Sequence, residues 1–146
     1  MSSAAPAPNW QPLSFLPKVT WMLDGMADEA AIQIDNMREA AMRPGALDDY
    51  TVNRVITGYT TMSDDLWMYT EQLRRWQILP LSPAQQTEID RLTARLATLT
   101  ADIATILESA EAQRGQTIEA ILNRSNAQLG LDILTGKLPP PGKRPR

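Results

Sequence analysis

Residues 52–76 read VNRVITGYTTMSDDLWMYTEQLRRW, and this stretch decides the fold. Val52, Val55, Tyr59, Met62, Leu66, Tyr69, Leu73 and Trp76 follow one another at steps alternating between three and four residues. An α-helix turns once in about 3.6 residues, so these steps bring all eight side chains onto one stripe. The stripe is a heptad seam, the pattern of helices packed at shallow angles. Asp48 or Asp49 opens the helix, because a carboxylate there caps free N–H groups at the positive end of the dipole. Pro80 closes it.

The same period extends to both sides. Upstream, a stripe of Val19, Leu23, Met26, Ala30, Ile34, Met37 and Ala41 predicts a first helix. It starts near Ser14–Pro17, where a proline in the first turn lacks only an N–H that would be free anyway, and stops at Arg43-Pro44-Gly45. Downstream, Ser82-Pro83-Ala84-Gln85 reads as an N-cap, a first-position proline and a reciprocal capping glutamine. From there Ile89, Leu92, Leu96, Leu99, Ile103, Ile106 and Ala110 form the third stripe.

After Ala110 the phase fails. Ile118, Ile121 and Leu122 lie one step off the seam, with Gly115 in the gap. A helix running unbroken from residue 83 to 129 would measure about 70 Å and overhang its partners, at about 1.5 Å per residue. Either a fourth helix folds back at Gly115, or a second subunit covers the overhang. Leu129-Gly130 reads as a C-cap, followed by a short apolar return. The segment Leu96–Leu107 surrounds its seam with Ala and Thr and carries one charge, Asp102, as a helix covered on more than one side would. The expected fold is therefore all-α: an antiparallel bundle of three long helices with coiled-coil-like packing, the third either bending near Gly115 or broken there into a fourth. Residues 1–13 form a flexible N-terminal arm, 14–138 the bundle domain and 139–146 a disordered basic, proline-rich tail.

Composition narrows the chemistry. The 146 residues contain no cysteine and no histidine. That removes disulfides, thiolate nucleophiles, thiolate zinc sites, the serine triad in its usual form and most transition-metal chemistry. No cofactor motif is present, so no cofactor is expected. A net charge of −3 lacks the basic excess of a nucleic-acid binder. No basic-then-apolar leader opens the chain and no run reaches the ~20 apolar residues of a membrane span, so a cytoplasmic location without membrane contact is expected. Arginine outnumbers lysine and alanine is abundant, a composition that suggests bacterial coding bias.

Four groups of residues carry candidate chemistry. Asp24, Asp28, Asp35 and Glu39 share one face of the first helix, where an all-oxygen Mg²⁺ or Mn²⁺ site competes with a solvated acidic face. Arg74, Arg75, Arg91 and Arg95 flank the second interhelical loop and would converge on an anion, unless Glu71 and Glu88 take them up at helical salt-bridge spacing. Trp67 and Met68 lie off the seam and suit either an interface or packing under the arm against Trp10 or Phe15. Ile118, Ile121 and Leu122 need cover. The tail adds four basic residues from Lys137 to Arg146, enough for weak electrostatic contact with nucleic acid or an acidic surface. Two phrases, Leu47-Asp48-Asp49 and Thr117-Ile118-Glu119, have the look of recurrent motifs without attached chemistry. The expectation is a non-enzymatic helical interaction protein, homo-oligomeric and binding another protein. A small all-α enzyme or metal binder using the carboxylate face, and a nucleic-acid-associated protein using the tail, are the alternatives.

Overall fold

A computed structural model describes residues 7–136. After a short 3₁₀ turn at Leu13–Phe15, four helices follow: α1 Leu16–Ala41, α2 Asp49–Gln77, α3 Pro83–Gln113 and α4 Ile118–Leu134. No strand occurs among the described residues.

The caps explain the boundaries. Asp48 accepts from the Thr51 N–H at the start of α2. Ser82 and Gln85 form a complete reciprocal capping box at the start of α3, with Pro83 as its first residue. Pro17 sits in the first turn of α1.

Helix α3 is the centre of the bundle, packing against both α1 and α2. Ile89, Leu92, Leu96, Leu99, Ile103 and Ile106 are all buried in one cluster with Leu16, Val19, Leu23 and Ala30 of α1 and Leu66, Leu73 and Trp76 of α2. Cross-helix bonds fix the directions. Thr20 donates to Glu88 and Arg95 to Asp28, so α1 and α3 run parallel. Gln77 donates to Asp90 and Arg114 to Asn53, so α2 runs against them. On α1 the seam closes on Ala40, with Ala41 exposed, because a step of three from Met37 meets the core where a step of four turns outward.

The third helix does break, over residues 114–117. By then α3 has 31 residues against 29 in α2. It ends where its partner ends, so no overhang forms. The break is stabilised by the loop between α1 and α2. The Gly45 N–H donates to Gln116 O, and the Ile118 N–H donates to Leu47 O. Thr117 is fully buried and caps α4 by accepting from Ala120. Glu119 accepts from the Asp49 N–H, adding a carboxylate to the N-terminus of α2. The two phrases Leu47-Asp48-Asp49 and Thr117-Ile118-Glu119 are thus partners in one junction that fixes two helix starts.

Helix α4 makes no extensive packing with any other helix and has no buried residue. It does not fold back. It also runs through Gly130 to Leu134, so Leu129-Gly130 is not its C-cap. The left-handed residue that a helix stop favours is Gly136, at φ +78°.

Gly45 is a loop position that its backbone alone reserves for glycine, since a Cβ there would make only ordinary van der Waals contacts. Its φ is +83°, and a Cβ there would lie 3.4 Å from Ile121 Cδ1 and 3.6 Å from Ile118 Cδ1. Gly115 has no neighbour within 4 Å of such a Cβ and no positive φ. Gly45→Ala is expected to lower the unfolding free energy by about 1–2 kcal/mol, and Gly115→Ala to leave it unchanged or raise it by up to ~1 kcal/mol. Urea denaturation followed by far-UV circular dichroism measures both. By the same measurement Ile103→Ala costs about 2–5 kcal/mol, whereas Leu134→Ala at the exposed end of α4 stays within ~0.5 kcal/mol.

Candidate functional site

The acidic face of α1 and the arginines of α3 meet each other. Arg91 forks onto both oxygens of Asp24 at 3.1 and 3.0 Å and onto Glu88 at 3.0 and 2.7 Å. Arg95 donates to Asp28, and its Nε lies 2.8 Å from Asp24 without the alignment of a hydrogen bond. The parallel course of α1 and α3 builds this network, because successive turns of one helix stay level with successive turns of the other. The hydrogen bond from the Arg91 guanidinium holds the Asp24 and Glu88 carboxyls below their usual range, while burial works against it.

Half of each cluster, Asp24 and Asp28 on one side and Arg91 and Arg95 on the other, is thus neutralised by the other half. Asp35 pairs with Arg38 one turn away, and Glu39 lies exposed beyond the network. Among the described residues no group of three or more acidic side chains converges as metal ligands would.

Arg74 and Arg75 stand apart, on α2. Both reach Glu71, at 2.6 and 3.2 Å, and together they pull its carboxyl down to about 2, the Arg74 hydrogen bond contributing most. The four arginines therefore divide into two pairs on different helices, each pair with carboxylate partners.

Arg75 has a second role. Its guanidinium stacks 4.4 Å from the Trp10 ring centroid, and Trp10 meets Trp67 edge-on at 6.3 Å. The next residue anchors the arm. The buried Gln72 amide accepts from the Gln11 N–H at 2.7 Å and donates to its carbonyl, which also receives the Trp76 indole N–H at 2.9 Å. Residues 9–12 thus lie across α2, and Trp67 is the outer edge of that clasp while remaining 54 % exposed. Met68 lines the small cleft beneath the arm with Phe15, Val19 and Met22.

Helix α4 carries exposed apolar side chains along its length. Ile118, Leu122, Leu129 and Ile133 fall within one stripe, at steps of four, seven and four. The loop touches Ile118 and Ile121 through Gly45, whereas Leu122 and Leu129 are about half exposed. Two grooves flank α3. The one towards α1 is charged, lined by Asp28, Arg91, Arg95 and Asp102 between alanines. The one towards α2, about 630 Å³, has Leu73, Leu96, Thr93, Ala97 and Thr100 on its floor and walls and Arg74 as its one charge.

Sequence reasoning passed over Trp21, which is 75 % exposed on the outer side of α1. Its position two residues after Val19, between the steps of the stripe, was the available signal. Ile32 and Ile78 are outward for the same reason. The basic tail lies outside the described residues. No described helix is long and apolar enough to cross a membrane. No protein-family model, curated protein or solved structure matches the chain.

The network sets a pH dependence. Asp24, Glu88 and Glu71 have carboxyls depressed in the folded chain, so the stabilisation they give is complete above the ordinary carboxylate range. It is lost as the pH falls through that range towards about 2, where Glu71 protonates. The melting temperature is expected to fall on acidification from neutral pH to pH ~3, with Arg91→Met reducing that fall by roughly 2–4 °C, the scale of exposed ion pairs. Calorimetric melts of both proteins across that range supply the comparison.

Proposed function

We propose that this chain is a non-enzymatic helical interaction protein that works as a homo-oligomer and presents a surface to another protein. One observation carries the reading: α4 has no helical partner in its own chain while holding a row of aliphatic side chains. A helix in water is stabilised mainly by burying such a row, so an isolated amphipathic helix is marginal and gains most from docking. Trp21 and Trp67 add rigid aromatic surface of the type that dominates protein interfaces.

The alternatives are less well supported by the geometry. A divalent cation on the α1 face would have to displace Arg91 and Arg95 from Asp24 and Asp28, exchanging paired charges for a ligand set of two carboxylates on one helix. An anion between Arg91 and Arg95 would meet the same two carboxylates.

Sedimentation velocity on the full chain, from low to high micromolar concentration, tests the proposal. The expected result is a species of two or more chains whose share grows with concentration. A single monomeric species throughout overturns it.

A further inference from the structure

From the two grooves beside α3 we infer that the occupant of the α2–α3 groove is α4 of a second copy of this chain, the two copies exchanging α4 reciprocally. The inference rests on the self-association proposed above and names its surfaces.

The two surfaces match. The exposed row on α4 is large and aliphatic. The groove that would receive it has an apolar floor, and along its α3 wall Thr93, Ala97 and Thr100 are exposed, small and uncharged. Large side chains on one helix set against small ones on another let the two axes approach closely. Charge selects between the grooves. The α1–α3 groove would bury Asp28, Arg95 and Asp102 against leucines, a costly desolvation, while the α2–α3 groove exposes only Arg74, already held by Glu71.

The chain cannot satisfy the match within itself. The first turn of α4 is fixed to the α1–α2 loop by the Gly45, Ile118 and Asp49 hydrogen bonds and by the buried Thr117 cap. That junction holds α4 off its own bundle. A helix and its receptor groove on one molecule, prevented from meeting in cis, are the conditions for exchange between copies.

Area decides against the simpler pairing. A 17-residue helix is about 25 Å long and ~10 Å across. Two such helices packed only on each other would bury about 500 Å² in total, well short of the ~1,200–2,000 Å² of a stable interface. Seating each helix to half its circumference in a groove buries about 800 Å² per helix, and two reciprocal seatings reach that range.

Three proteins test this by sedimentation velocity: the native full-length chain, a face variant Leu122→Glu/Leu129→Glu, and a groove variant Ala97→Glu/Thr100→Glu. All four substituted side chains are exposed, and far-UV circular dichroism confirms that each variant folds. The expected result is a native dimer and, for each variant alone, a dissociation constant raised by about 100-fold or more. An equimolar mixture of the two variants retains one intact seating, so it dimerises more tightly than either variant alone. If a charged variant loses helicity, Leu122→Ala/Leu129→Ala replaces the face variant and Ala97→Gln/Thr100→Gln the groove variant, each weakening the dimer in the same direction. A native dimer untouched by the groove variant overturns the exchange while leaving self-association standing. A mixture no tighter than its components overturns it in the same way. A native chain that stays monomeric overturns both readings.

Discussion

Everything in this bundle hangs on the aliphatic seam of α3. Helices α1 and α2 are bound through it far more than through each other, and its six Leu and Ile side chains between Ile89 and Ile106 are nearly all inaccessible to water. Each such side chain contributes about 1.5–3 kcal/mol on leaving water. A central helix with two partners fills one broad arc of its surface, and the remaining arc is left to solvent. That remaining arc is the Ala and Thr surface of Leu96–Leu107, which the composition marks as covered and the single chain leaves open.

The junction at the far end has a different origin. It is held by backbone hydrogen bonds and caps. A helix start leaves N–H groups without partners, and here two starts lie side by side, at Asp49 and Ile118. Asp48 and Thr117 each cap their own helix, Glu119 reaches across to the other, and Leu47 O receives the Ile118 N–H. Such a junction is directional, so it dictates where α4 leaves the bundle. The leaving direction then separates α4 from its own apolar groove.

Electrostatics here is local bookkeeping between neighbouring helices. Asp24 and Asp28 serve Arg91 and Arg95; Glu71 serves Arg74 and Arg75. These ion pairs are at least partly exposed and individually modest in energy. Their consequence is chemical: Asp24, Asp28 and Asp35, and all four arginines of the candidate anion site, have partners of opposite sign. The exposed large apolar side chains include those of α4, Trp21 and Ile78.

Period and caps are properties of neighbours in the chain, and these the sequence determined. The alternation of three and four from Val52 to Trp76 and from Ile89 to Ala110, the Ser82 box and the phase slip after Ala110 each appear in the structure as helix, cap and break. Local chemistry suffices for them, because hydrogen bonds four residues apart and side chains three or four apart do not depend on distant segments. The end of α4 was less legible, since a glycine such as Gly130 is compatible with both a helix interior and a stop. Pairing across helices was not legible at all. Whether Asp24 meets a cation or Arg91, whether Trp67 meets Trp10, and whether Ile118 finds cover depend on helix direction and register, which no single helix encodes. The tertiary structure decided these, because parallel packing of α1 on α3 sets acid against base, and the Leu47–Glu119 junction holds α4 away from the surface it would otherwise cover.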